Sequence, residues 1–405
     1  MTTMRIRPGM SQGERIKALR ERAGLTQEQA AGLLGKSVSL WRKYERDERR
    51  PRSFSDWMEI ASILGVRDMS LLIGRSVTAR PDEPREHESV HPIRSALTAW
   101  RPAGDPVPGR ELSSAVSTLW DLWHASSPWR YARVGGELPG MIRLLRATLA
   151  GAEADQRRAA LRASSMLYQL TRAYLKRVGA HDLSLVAADR SIHCAIDADD
   201  PGMAAAGAWN LGNVLSNTGH TEEALDVALA AAREIQPRIP DGGDPYASMY
   251  GALHQLAAVQ AARLDRSHDA DTYLEEAART AARTGERNDY RTAFGPTNVE
   301  IHRATVEREL SRYGQAVRIA ESTEVTSVPS VERRCTHYVE LAHSYAQRRQ
   351  DLGAIVMLRR AHDESPEETL LNPLQRNLVT DLIDRETPTT APELRPLALA
   401  IGVID

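Results

Sequence analysis

Six cations crowd the eleven residues from Arg42 to Arg52: Arg42, Lys43, Arg46, Arg49, Arg50 and Arg52, with Lys36 just ahead of them. Guanidinium and ammonium groups carry hydrogen-bond donors and no acceptors. Their counterparts are carboxylates, phosphates and acceptor-rich base edges. Plain solvation of a charged face is the competing reading. A second group stands out far downstream. Asn210, Asn213 and Asn217 follow one another at i, i+3 and i+7, which puts three amides along one helical stripe. Asparagine is a mediocre helix former, so three in one helix invite a reason. No HExxH, P-loop or GxSxG sequence occurs, and Cys194 and Cys335 form no CxxC. The expectation is therefore no catalytic residues, no metal site and no cofactor.

Charge is unevenly spread over the 405 residues. The net charge is −2, yet residues 1–80 carry +7 and the remainder −9. A basic head on an acidic body is the electrostatic footprint of a nucleic-acid-binding domain joined to something else. No apolar run approaches the ~20 residues of a membrane helix, and "MTTMRIRPGM" lacks an apolar signal core. Two unpaired cysteines fit a reducing compartment, so a cytoplasmic protein with no membrane partner is expected.

The elements that must hold the cations are legible from their caps. Ser11 with Glu14, and Thr26 with Gln29, are capping boxes opening helices over about 12–22 and 27–34. Gly35 breaks the second helix, and Ser37 caps a third over about 38–46. A fourth starts at Ser53 with Phe54, Trp57, Met58, Ala61 and Leu64 on one face, and "DMSLLIG" closes the bundle as a fifth. Helix, tight break, helix is the helix-turn-helix unit. With Trp41 and Tyr44 inward, Val38, Ser39, Arg42 and Lys43 face outward, the surface that enters a major groove in such units.

The stretch "LTQEQAAGLLGKSVSLWRKYERDERRP" resembles the DNA-binding domain of the Cro/phage-repressor (XRE) family. The likeness spans about residues 11–74 and rests on Thr26-Gln27, Ala31, Gly35, Ser37, Glu45-Arg46 and Pro51. It implies a five-helix domain that binds double-stranded operator DNA, usually palindromic, as a homodimer. Val38, Ser39 and Lys43, with neighbouring Arg42, fall at base-reading positions, and Gln27 falls where the family touches the DNA backbone. Lys36, Arg46, Arg49, Arg50 and Arg52 are further phosphate-facing candidates. Trp41 departs from the usual Ile or Val but keeps the inward role. Some phage-type repressors add a strand-rich Ser–Lys self-cleaving domain. Here the body reads as helical, and Lys176 is the only lysine after Lys43.

Six prolines fall between Arg75 and Arg110, so 1–74 reads as the head and 75–110 as a linker, with one short helix near 93–100. From Glu111 to the end at 405 the chain is alanine-rich with helical period. Two stretches, one from Leu211 to Ala231 and one from Leu341 to Pro366, resemble tetratricopeptide repeats. Equivalent positions Leu211, Ala257, Arg303 and Leu341 lie 46, 46 and 38 residues apart. The expected fold is all-α, a five-helix head followed by a tetratricopeptide-like α-solenoid for ligand or partner binding and dimerisation. Its concave side is expected to carry Trp209, Asn210, Asn213 and Asn217, then Gln255 and Arg263, then Asn298 and Thr305, then His343. Arg172 and Lys176 are placed to hold a carboxylate.

An XRE-type head on such repeats looks like peptide-responsive regulators of the RRNPP kind, and like actinobacterial regulators of this layout. The resemblance implies quorum-sensing-like control by a short peptide or small signalling molecule. Two readings stay open: a ligand-responsive transcription regulator, and a DNA-tethered scaffold whose repeats bind a partner protein.

Overall fold

The computed structural model describes residues 10–51, 54–66, 69–73, 87–102, 104–125, 127, 129–326, 328 and 330–404. Among these the regular elements are all helical, and the chain divides into two compact units, Met1–Arg85 and Glu86–Asp405.

The first unit holds α1 (Gln12–Arg22), α2 (Gln27–Leu33), α3 (Val38–Glu45), α4 (Phe54–Ile63) and α5 (Met69–Ile73). Local chemistry sets the boundaries. Ser11 Oγ accepts from the Glu14 amide at 3.2 Å while Glu14 accepts from the Ser11 amide at 2.8 Å. Thr26 and Gln29 repeat the exchange at 3.1 and 2.8 Å, and Ser37 Oγ caps the Leu40 amide at 3.1 Å. Each such cap is worth about 1 kcal/mol. Gly35 takes φ +66°, the left-handed turn that ends α2 and aims α3. Ile16, Leu19, Ala30, Ala31, Leu40, Trp41, Tyr44, Ile60 and Leu64 form the core. On α4 the buried face is rotated slightly from the expected one. Ile60 is fully buried and Met58 is 46% exposed, because 60, 61 and 64 point at α1–α3 while 58 lies on the flank.

The second unit begins inside the stretch read as a linker. Val90–Thr98 is a helix, α6, whose Val90, Ile93 and Leu97 are fully buried. Pro92 sits in its first turn, where a missing amide proton costs nothing, so the stripe can pack on α8. There follow α7 (Gly109–His124), α8 (Arg130–Gly151), α9 (Ala154–Arg177), α10 (His181–Asp197), α11 (Pro201–Asn217) and α12 (Thr221–Ile235). Next come α13 (Ile239–Arg263), α14 (Ser267–Thr284), α15 (Pro296–Glu309), α16 (Tyr313–Ser322), α17 (Val331–Gln347) and α18 (Asp351–Glu364). The chain closes with α19 (Pro366–Leu371), α20 (Pro373–Ile383) and α21 (Ala391–Ala400).

From α9 to α18 each helix packs on the next, and α9, α11, α13, α15 and α17 also pack one on another in sequence. Small residues make this possible. Ala206, Ala228, Ala257 and Ala277 are fully buried, and a Cβ at Gly207 would stand 2.7 Å from Ile192 Cγ1. The two ends of the row also meet. Glu368 of α19 accepts from Arg130 at 2.7 Å, from Tyr131 Oη at 2.5 Å and pairs with Arg177 at 2.5 Å.

Candidate nucleic-acid interface and a basic cluster in the helical body

In the first unit, Trp41 is fully buried and Tyr44 nearly so, which turns the opposite side of α3 outward. Ser39 and Arg42 are exposed, and Val38 and Lys43 half-buried. Val38 also packs against the core from its half-buried position.

One carboxylate locks this surface in place. Glu45, at the end of α3, is buried and accepts from Arg20 Nε at 2.5 Å, Gln27 Nε2 at 2.6 Å and Trp41 Nε1 at 2.7 Å. Burial alone would raise its pKa. The hydrogen bonds from Arg20, Gln27 and Trp41 outweigh burial and hold the carboxyl below its usual range. Arg20 reaches on to the Leu25 carbonyl at 2.7 Å, so α1, the α1–α2 turn, α2 and α3 share one polar knot. Arg42 Nε donates to Gln27 Oε1 at 3.2 Å and its guanidinium lies 3.7 Å from Glu28. Gln27, expected on the DNA backbone, is thus half-buried and bound on both sides within the domain. Glu45 entered the sequence reading only as part of a family match. Its hub role depends on residues 25, 18 and 4 positions away, a grouping that no local pattern gives.

Asp47 is a second joint. At φ +56°, its carboxylate accepts from the Gly13 amide at 2.7 Å and from Ser11 Oγ. A Cβ at Gly13 would meet the Tyr44 and Glu45 carbonyl oxygens at 2.6 and 2.7 Å, so α1 reaches α3 only with glycine there. Of the phosphate-facing candidates, Arg46 and Arg50 are exposed and Lys36 half-buried. Arg49 differs: it is buried, at 4% exposure. Arg52 lies outside the described residues.

In the second unit the Asn stripe is used locally. Asn210 is buried and donates to Ala206 O at 2.8 Å, Asn213 donates to Trp209 O at 2.9 Å, and exposed Asn217 donates to Asn213 O. Asn298 donates to Gln255 Oε1 at 3.1 Å, both side chains being buried. Arg263 ties three helices, bonding Ser216 O at 3.1 Å and Glu309 at 3.1 Å. Thr305 donates to Ile301 O at 3.0 Å, and His343 stands 6.4 Å from the Tyr313 ring. These residues are therefore spread along α11, α13, α15 and α17, and the amides, Arg263 and Thr305 bond to protein groups.

Arg172 and Lys176 fall in different company. Two guanidiniums approach the Trp209 ring, those of Arg172 and Arg333, each 5.8 Å from its centre. Beside them Arg177 pairs with Glu332 at 2.5 Å. Burial, reinforced by the nearby Arg177 and Arg172 charges, pushes the Lys176 ammonium down to about 7. Arg333, His302 and Glu332 carry no local signal for this grouping, because long side chains collect them from α15 and α17, as in the Arg177–Glu332 pair and the Arg333 approach to Trp209. His302 is held neutral, at about 4, by burial and the Arg333 charge.

Residues 13–71 match the family described as a helix-turn-helix domain. The chain thus carries an N-terminal helix-turn-helix domain of the XRE/Cro type, a non-catalytic DNA-binding family. No match was found among curated proteins. Among the described residues no helix is long and apolar enough to cross a membrane, and no group of His, Cys, Asp and Glu is placed to hold a metal ion.

Proposed function

We propose that the protein is a cytoplasmic, sequence-specific transcription regulator. Its head reads a palindromic operator as a homodimer, and its helical body, a tetratricopeptide-like repeat array, senses a small ligand and controls operator binding. The observation that carries the DNA half is the outward face of α3 backed by buried Trp41 and fixed by Glu45. Arg42 and Lys43 can donate to guanine O6 and N7, Val38 can meet a thymine methyl, and Arg46 and Arg50 can reach phosphates. The repeated packing of α9 through α18 supports the array reading, with α9, α11, α13, α15 and α17 in one row. A ligand there alters DNA binding only by differing in affinity for two arrangements of the protein.

The test is operator binding by the full chain and by Arg42→Ala/Lys43→Ala, on operators mapped by genomic occupancy. Each lost base contact costs ~1–3 kcal/mol, so the double variant should lose specific binding while its helical signal is kept. Undiminished operator affinity would reject the α3 assignment. DNA affinity that never responds to culture extract, with a protein co-purifying on the body, would favour the scaffold reading.

A further inference from the structure

Many buried and half-buried arginines of the body follow a rule, pairing with a carboxylate, while Arg146 and Arg190 donate instead to carbonyls at the end of α6. Arg130 pairs with Glu368, Arg177 with Glu332, Arg263 with Glu309, Arg308 with Glu340 and Arg334 with Glu364. Burying a guanidinium is costly unless a carboxylate or several acceptors replace its water. Around Trp209 the rule fails. Arg172 is 95% buried, since only 5% of it is exposed, and its Nε has no hydrogen-bond partner among the described residues. Among the described residues Arg333 has one hydrogen-bond acceptor, the Thr292 carbonyl, at 3.3 Å. Neither of them, nor half-buried Lys176, has a carboxylate within ion-pair distance among the described residues. Glu332, the nearest acid by its electrostatic effect on all three, is engaged by Arg177.

We infer that this cluster is an anion-binding site, in which Arg172, Lys176 and Arg333 around Trp209 take a carboxylate or phosphate group of a small ligand. The three cations come from α9 and α17, with both guanidiniums close to Trp209 of α11, so one anion would bridge elements far apart in sequence. The two guanidiniums offer planar donor pairs suited to either anion, and the ammonium adds a point charge. Lys176, held at about 7 by burial and the neighbouring arginine charges, would be drawn to its charged form by an incoming anion. The inference rests on the reading of the body as the sensing part only for its consequence. The binding itself is tested separately.

The test is thermal unfolding and calorimetric titration of the full chain with inorganic phosphate and, separately, acetate, against chloride at equal ionic strength. Saturable stabilisation by at least one of the two anions is expected, and which one acts identifies the group the site prefers. Arg172→Gln and Arg333→Gln should each weaken that binding about tenfold, the loss of one charge-assisted hydrogen bond. Lys43→Ala, in the head, should leave it unchanged, which separates this site from any phosphate affinity of the DNA surface. Should Arg172→Gln fail to fold, Arg333→Gln, half-buried on a different helix, carries the same expectation. Absence of saturable binding by both anions, or equal binding by the Arg333 variant, overturns the proposal. Operator affinity is then measured with the effective anion present. Anion binding with unchanged operator affinity would leave this site standing and count against ligand control of the head.

Discussion

Glu45→Ala is the most informative single change in the head, because it removes the shared acceptor of Arg20, Gln27 and Trp41 at once. Glu45 is 3% exposed at its side chain and Arg20 10%, so the pair is shielded from water. Truncating one member of such a pair typically costs 3–5 kcal/mol, because the other charge is left buried and uncompensated. Here Trp41 Nε1 and Gln27 Nε2 lose their acceptor too, at about 1 kcal/mol or more for a donor left buried and unpaired. A small domain has about 5–15 kcal/mol in total, so the variant head should stand at the edge of unfolding at 25 °C. Hydrogen exchange followed by mass spectrometry on peptides covering 12–46 reads this without involving the second unit. A loss of ~4 kcal/mol corresponds to about a thousandfold faster exchange for amides protected by unfolding of the head. Peptides from α9 through α18 serve as the internal control and should not change. The same carboxylate makes a pH signature. Its folded pKa lies below its unfolded one, so its contribution is complete above the ordinary carboxylate range and is lost as pH falls through the folded value. Wild-type head protection should therefore decline in acid more steeply than that of Glu45→Gln, which has no charge to lose. Protection in Glu45→Ala within about threefold of wild type would refute the idea that this knot holds α3 against α1 and α2.

Gly13→Ala should destabilise the head by about 1–3 kcal/mol, since the new methyl meets carbonyl oxygens of Tyr44 and Glu45 that are themselves fixed by α3; an unchanged melting temperature for the head would contradict the close approach. Lys176 yields a pH slope of the same sign as Glu45, in a higher window. Its folded pKa of about 7 lies below the ordinary lysine value, so the unfolded chain binds more protons between these limits. Stability of the body should accordingly rise with pH from about 7 toward 10, and Lys176→Met should flatten that rise. The groups that face it are Arg172 and Arg177 of α9, His181 of α10, and Glu332 and Arg333 of α17. Melting curves of both proteins across that range make the comparison, and parallel slopes would place the ammonium in water.

The boundaries of α1, α2 and α3 were legible because a cap is a local bargain. Ser11 needs only Glu14, and Thr26 only Gln29, and both exchanges form as the spacing requires. Trp41 and Tyr44 were assignable inward because one helical face is apolar. The same logic slipped on α4, where Met58 and Ile60 are equally apolar and only the neighbouring helices choose between them. It slipped in part at residues 90–98, where a short helix was expected near 93–100 but as a piece of linker and not of a core. There six surrounding prolines suggested a linker, while Val90, Ile93 and Leu97 supplied a stripe whose partner, α8, lies some 50 residues on. Arg49 illustrates the limit for charges. An arginine within a basic run reads as solvated or phosphate-facing, yet the turn after α3 folds this one under cover. The Asn stripe shows the converse: its periodicity was visible, but each amide answers a carbonyl one turn back on its own helix.

The position of the basic cluster relates ligand chemistry to the architecture of the body. Arg177, Glu332 and Glu368 join α9, α17 and α19, and through Glu368 also Arg130 and Tyr131 of α8, so one chain of ion pairs ties the start of the row of helices to its end. Arg172 and Arg333 flank that chain. An anion seated between them adds attraction between α9 and α17, and therefore binds a body closed across those helices better than one opened there. A body opened across those helices would lose the Arg177–Glu332 pair, and with it the geometry that brings Arg333 to Trp209. The coupling is bounded by the same arithmetic that governs any switch. To change a population ratio tenfold, the anion must favour the closed arrangement by about 1.4 kcal/mol. One charge-assisted hydrogen bond made only in that arrangement supplies this much. Glu332→Gln should then weaken closure in the free protein while sparing the three cations, so its melting temperature should fall and the stabilisation added by a given anion concentration should shrink relative to wild type, because less of the free protein is in the binding arrangement. Identical anion stabilisation in both proteins would mean that the cluster and the chain of ion pairs act independently.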